Sequence, residues 1–162
     1  MTNSDYIQKT FPGAVLSSCK KYGQEIVLIN AANLKGVARI LKDELGFDML
    51  LDVSALDWSK WAEKKSNRFE IDYFFYSTKH NTRLQLKVPV PDDVNPVVDS
   101  ITEIYSIADW SERECWDMMG VKFEGHPNLK RLLMWRDFVG HPLRKDYPVT
   151  KRQPLPIMED LL

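Results

Sequence analysis

Apolar positions in this chain change their period several times, and each change marks an element. Residues 4–11 read as a short helix that Pro12 and Gly13 stop. AVLSSCKKYGQEIVLI carries two short β-type runs on either side of Tyr22 and Gly23, the pattern of a hairpin. After Asn33, a capping residue type, Leu34, Val37, Ile40, Leu41 and Leu45 recur at helical spacing and Gly46 stands beyond the end. This predicts an amphipathic helix facing a core. MLLDVSALDW predicts a strand and SKWAEKKSN a loop. Phe69, Ile71, Tyr73 and Phe75 alternate in RFEIDYFFYS, and Leu84, Leu86 and Val88 alternate in TRLQLKVPV. With KHN between them the two runs predict an antiparallel hairpin, and Pro89 and Pro91, which have no N–H for a ladder, end the sheet. NPVVDSITEIYS places Asn95 at an N-cap, Pro96 at a first helical position and Val97, Val98, Ile101, Ile104 and Tyr105 on a stripe, which predicts a second helix on the same sheet.

Helices covering a mostly antiparallel or mixed sheet make a two-layer α+β domain, expected over residues 1–120. Beyond Gly120, glycine and proline punctuate short apolar clusters, and DYPVTKRQPLPIMEDLL has too few periodic apolar positions for a core of its own. Residues 121–162 are therefore expected to be a Gly/Pro-punctuated extended segment and a tail that is either disordered or docked on a partner, with Tyr147, Val149, Leu155, Ile157 and Met158 favouring the partner. A length of 162 residues agrees with one domain plus an appendage.

Charge and composition narrow the classes. A formal net charge of -1 lacks the basic excess that coating nucleic acid requires, so no nucleic-acid partner is expected. From His126 onward, however, seven basic residues stand against four acidic ones, an excess that suits an acidic partner or, alternatively, a solvated face. Cys19 and Cys115 are the only cysteines and form no CxxC, which points to a reducing compartment. His80, His126 and His141 fall at neither zinc-finger nor HExxH spacing, so no metal is expected. MTNSDYIQKTFPG has neither the basic nor the apolar region of a secretory signal, and no run approaches the roughly 18 apolar residues of a bilayer span.

The densest chemistry lies in WSERECWDMMGVKFEGHPNLKRLLMW, residues 110–135, and in GHPLRKDYP, residues 140–148. Ser111 and Glu114 have capping-box spacing. Glu112 and Glu114 then stand near the positive end of a helix dipole, which keeps carboxylates ionised, the opposite of what a general acid needs. Arg113 and Asp117, four apart, predict an ion pair along one helical face. Trp110, Cys115, Met118 and Met119 supply apolar surface, and Gly120 a left-handed stop. Gly125–His126–Pro127 and Gly140–His141–Pro142 are expected as rigid corners, each presenting an imidazole. An enzymatic reading makes a histidine the general base, oriented by Glu114 or Asp117, with Cys115 as nucleophile. Against it, a cysteine in the apolar part of a short helix is usually buried and inert, and no nucleophile motif, phosphate loop or metal-ligand set accompanies it.

ERECWDMMGVKFEGHPNLKRLL, residues 112–133, resembles the signature of the thirty-kilodalton subunit family of respiratory complex I, the C-type chain of proton-pumping NADH:quinone oxidoreductase. GHPLRKDYP resembles the second motif of that family, and together the motifs cover about a fifth of the chain. By position the pattern falls on Glu112, Arg113, Glu114, Asp117, Gly120, Phe123, Gly125, His126, Pro127, Leu129 and Arg131. It continues on Gly140, His141, Pro142, Leu143, Arg144, Lys145, Asp146 and Pro148, and with Tyr147 these motif positions, apart from Phe123, Leu129 and Leu143, are expected at a subunit interface. MWRD, residues 134–137, departs from the proline and acid that many relatives carry there.

The resemblance implies a subunit with no catalytic residue and no cofactor of its own. FMN and iron–sulfur clusters sit in partner subunits and carry electrons from NADH to quinone, coupled to proton translocation. It implies a place in the peripheral arm beside a hydrogenase-like large (D-type) subunit and near an iron–sulfur (B-type) subunit. That arm lies on the cytoplasmic face of the inner membrane, or on the stromal or matrix side for an organelle-encoded chain. Arg131, Arg144 and Lys145 are then expected to pair with carboxylates of the large partner. Two alternatives stand beside this reading: the equivalent scaffold of a membrane-bound hydrogenase or a ferredoxin- or F420-linked complex, and a free-standing Cys/His enzyme or metal-dependent hydrolase.

Overall fold

A computed structural model gives the fold and describes residues 2–62 and 65–154. α1 (Asn3–Thr10) opens on a capping box between Thr2 and Asp5. β1 (Val15–Lys21) and β2 (Gln24–Ile29) form the expected hairpin. The chain then makes one 3₁₀ turn (Ala31–Asn33), capped by the Asn30 side chain, before α2 (Leu34–Asp43). Asn33 itself makes no side-chain cap. β3 (Met49–Asp57), β4 (Phe69–Ser77) and β5 (Thr82–Pro89) follow as an antiparallel meander.

The five strands form one mixed sheet in the order β1-β2-β5-β4-β3. Because α2 carries the chain to the far edge before the meander returns, β5 arrives alongside β2 and pairs with it in parallel. Val27, Leu86, Tyr73 and Val53 share a row across one face and are all buried. They join Leu34, Val37 and Leu41 of α2 in a single core. On the opposite face Lys87 bridges Glu70 (2.9 Å) and Asp72 (3.1 Å), and Gln85 donates to Asp72 at 2.7 Å. These polar side chains follow from the period of two along each strand.

The helix expected after Asn95 does not form. Val97–Asp99 is instead a strand, β6, paired in parallel with β7 (Lys122–Glu124), while Ile101, Ile104 and Tyr105 are buried in turns. The reason is tertiary: β7 offers ladder partners to a β-branched pair, and Tyr105 is fixed by its hydroxyl on the Phe47 carbonyl at 2.7 Å. α3 (Ala108–Met119) lies between these two short strands in the chain, and its Cys115 reaches the backbone of β3. Phe123 of β7 is in the core. From 129 to 154 the backbone is irregular.

Candidate functional site

Most of the motif positions gather on α3 and on the irregular chain that wraps its C-terminal half. The helix starts earlier than its sequence suggests. Turn bonds from Ala108 N–H to Tyr105 O and from Asp109 N–H to Ser106 O lead the chain into the helix. Ser111 therefore sits inside α3 and forms no capping box with Glu114, which is exposed.

Glu112 is fully buried, and its carboxylate accepts from Ser100 Oγ (2.6 Å) and from the Ile101 N–H (2.8 Å). Burial raises its pKa to about 7 despite those two hydrogen bonds. The expectation that this acid is kept ionised by the helix dipole is thus corrected: desolvation outweighs the dipole.

The Arg113–Asp117 pair is also replaced by other partners. Arg113 stacks 5.1 Å from the Trp110 ring and donates to the carbonyls of Lys130 and Arg131. Asp117, with no exposed surface, accepts on Oδ2 from the N–H groups of Leu132, Leu133 and Met134 at 3.0, 2.8 and 2.9 Å, and on Oδ1 from Arg131 at 2.6 Å. Burial alone would raise the pKa of Asp117, but these donors outweigh it and hold the carboxyl below its usual range. Arg131 continues to the carbonyls of Phe138 (2.5 Å) and Gly140 (3.2 Å). The two helix charges therefore face the following loop instead of each other, because its part-buried backbone groups take them as partners.

Both Gly-His-Pro corners present their imidazoles, as expected, and the structure turns both rings inward onto α3. His126, with a fully buried side chain, lies 3.1 Å by Nε2 from the Asp109 carbonyl and accepts on Nδ1 from the Asn128 N–H at 3.0 Å. This fixes its proton on Nε2. His141 donates from Nδ1 to the Asp117 carbonyl at 3.1 Å and meets the Trp116 ring edge-on. Burial lowers its pKa, aided by nearby Arg144 and Arg131. Both rings thus satisfy backbone carbonyls of α3. Pro127 and Pro148 are exposed, and Pro142 is half-buried.

Gly120 ends α3 in the left-handed conformation (φ 73°), and the Arg144 guanidinium and the His141 ring occupy the place of a Cβ. Arg144 donates to the Met119 carbonyl (2.6 Å) and the Gly120 carbonyl (3.3 Å), a cation at the negative end of the helix, while its guanidinium lies over Phe69. The donors of Arg131 and Arg144 that were expected to meet a partner's carboxylates thus engage groups of this chain. Lys145 keeps an exposed side chain, and its N–H donates to Asp57 at 2.9 Å. Asp57 also holds Arg68 at 2.9 Å, and Arg68 reaches Asp146 at 2.9 Å. Tyr147 stacks on Phe138 beside Gly140.

Asp57 and Arg68 are the participants that sequence reasoning missed. They sit at the ends of neighbouring strands, Asp57 88 residues before the Lys145 amide from which it accepts, and nothing local marks them. Cys115 is buried, donates its thiol to the Val53 carbonyl at 3.2 Å and has its pKa pushed up by burial, so it is not an activated nucleophile. Neither His126 nor His141 hydrogen-bonds to it. Among the described residues, no group of three or more His, Cys, Asp or Glu side chains is placed to hold a metal, and no helix is long and apolar enough to cross a membrane. Leu155, Ile157 and Met158 lie outside the described residues.

Residues 27–153 match the family described as respiratory-chain NADH dehydrogenase, 30 kDa subunit. The C-type subunit of the NADH-quinone oxidoreductase of Rhizobium rhizogenes is 43% identical over 141 residues, covering 85% of this chain and 68% of that protein. Its counterpart in Trichlorobacter lovleyi is 39% identical over 143 residues, covering 88% and 86%. Among solved structures, a trypsin-resistant fragment of Nqo5 superposes with a TM-score of 0.69 at 24% identity, covering 79% of this chain and 100% of the fragment. A chain of the membrane-bound sulfane sulfur reductase, an archaeal respiratory membrane complex, gives a TM-score of 0.75 at 23% identity, covering 91% and 84%. At such identities the two structures speak for the fold, and the sequence matches speak for the family. The chain belongs to the respiratory-chain NADH dehydrogenase 30 kDa subunit family.

Proposed function

We propose that this chain is the C-type subunit of an NADH-quinone oxidoreductase and serves it as a non-catalytic brace. The observation that carries the reading is the use to which the motif side chains are put. Asp117, Arg131, His141 and Arg144 are spent on fixing residues 129–148 against α3. Such an arrangement holds a shape; it neither activates a nucleophile nor poises an acid beside a base. On this reading FMN and iron–sulfur clusters belong to partner subunits. The irregular chain beyond β7, residues 129–154, docks on the hydrogenase-like large subunit near the iron–sulfur subunit, at the cytoplasmic face of the membrane, while Val121 and Phe123 stay in the core of this chain. The exposed side chains of Lys130, Arg136, Lys145, Lys151 and Arg152 supply the basic surface for that contact.

The fold is also found in an archaeal respiratory complex named for sulfane sulfur reduction, which keeps a second reading in play: the same scaffold in a complex with another electron donor. One experiment separates the two. The tagged chain is recovered from gently solubilised native membranes, its partners are identified by mass spectrometry, and the eluate is assayed for NADH:quinone activity. Co-recovery of a hydrogenase-like large subunit and flavoprotein with that activity supports the proposal. The same large subunit without NADH oxidation supports the second reading, and a chain recovered alone overturns both.

A further inference from the structure

Two hollows lie side by side along the outer edge of β3. The first, of about 450 Å³, is lined in part by Met49, Leu51 and Ile107. These apolar side chains are 44%, 45% and 52% exposed. The second, of about 170 Å³, runs between β3 and α3 past Asp52, Glu114 and Leu143. The two adjoin where Leu51 is followed by Asp52.

β3 is the last strand of its sheet, so its outer backbone groups lack a neighbouring strand. Cys115 meets some of them, donating to the Val53 carbonyl while the Ala55 N–H faces its sulfur. A ladder cannot therefore run the length of this edge, and a partner seated there is held chiefly by side chains entering the hollows. The rim is anionic. Asp52 and Glu114 are both exposed, and neither has an ion-pair partner among the described residues. Lys42, the cation of the first hollow, donates to the Ile104 carbonyl and lies over the Tyr105 ring.

We propose that this edge of β3 receives an extended segment of a neighbouring subunit in which apolar side chains alternate with lysine or arginine. The smaller hollow is too small for a helix about 10–12 Å across, whereas an extended chain sends alternate side chains to one side roughly 6.5 Å apart. Its apolar residues fill the hollows beside Leu51 and Leu143, and its cations complement Asp52 and Glu114. This inference rests on the chain being a subunit of a larger complex.

The test replaces Leu51 or Ile107 with a photo-reactive amino acid in the full chain, irradiates native membranes and sequences the cross-linked peptides. A peptide from a co-purifying subunit, with two or more Lys or Arg among roughly eight extended residues, is the expected result, and the same probe at Lys9 on α1 captures no such peptide. Asp52→Lys with Glu114→Lys lowers the cross-link yield about tenfold, while circular dichroism of the isolated variant stays unchanged. An acidic peptide, a second copy of this chain, a lipid, or no cross-link in a complex that assembles normally overturns the proposal and leaves the subunit reading standing. A chain that co-purifies with no other subunit overturns both.

Discussion

Asp117 and Arg131 meet at 2.6 Å across fourteen residues of chain, although Arg113 stands only four residues from Asp117 on the same helix. The more distant partner prevails because Arg131 arrives together with three backbone N–H groups that also need an acceptor. One buried carboxylate thereby anchors the whole turn at 131–134.

Replacing that carboxylate should detach the turn. Asp117→Ala leaves the Arg131 guanidinium and the amides of Leu132, Leu133 and Met134 without their acceptor, and should cost about 3–5 kcal/mol. Urea unfolding of the variant measures the loss, and limited proteolysis should show cleavage moving into residues 129–140. Unchanged stability would show that this web is replaceable.

Glu112 should make the protein less stable as pH rises through mildly acidic values. Its pKa goes from 4.5 to about 7 on folding, so between those values the native state binds the extra proton. The favourable contribution is complete below pH 4.5 and lost by about pH 7, a change of roughly 3 kcal/mol. Glu112→Gln keeps its carbonyl oxygen as the acceptor for the Ile101 N–H and turns an N–H toward the Ser100 hydroxyl, which can accept it, but cannot ionise. Thermal melts across this range should show the wild-type slope and a flatter variant; identical profiles would contradict the assignment.

Asp57 should act in the opposite sense. Burial works against its ionisation, but Arg68 and the amides of Ser59 and Lys145 hold its carboxyl below the ordinary value of 3.8. Its stabilisation is therefore present above about pH 4 and disappears as pH falls through the lowered value. Asp57→Asn should cost about 1–3 kcal/mol at neutral pH and blunt the acid-unfolding transition, read from melts between pH 7 and pH 2. A variant as acid-sensitive as the parent would argue against it.

Gly120→Ala combines a left-handed backbone with a crowded site. A Cβ there meets the Arg144 guanidinium and the His141 ring, so the loss should exceed the roughly 1–2 kcal/mol of the backbone alone. Adding Arg144→Ala removes one clash while also removing the cation on the helix end. A double-mutant cycle by urea unfolding should give a coupling energy distinct from zero, and strict additivity would place the cost in the backbone alone.

The cysteines should differ sharply in reactivity. Cys19 is exposed and Cys115 is buried with its thiol on Val53. A thiol reagent should therefore modify one site in the native protein and the second only on unfolding. Rapid labelling of both would mean that α3 leaves the edge of β3 readily.

Much of this arrangement is written in local patterns. The alternation of Phe69, Ile71, Tyr73 and Phe75 fixes a buried sheet face, and the spacing of Leu34, Val37 and Leu41 fixes the helix that covers it, because period alone says which side of an element meets the core. The motifs around α3 and Gly140 likewise disclosed the family. Tertiary structure decided what those side chains do. Val97–Asp99 is a strand because β7 lies beside it, Glu112 holds its proton up to about pH 7 because burial outweighs the hydrogen bonds of Ser100 and Ile101, and Arg131 displaces Arg113 because the following loop folds back onto the helix. Each outcome depends on burial and on hydrogen-bond partners supplied from many residues away, and a local pattern carries no information about either.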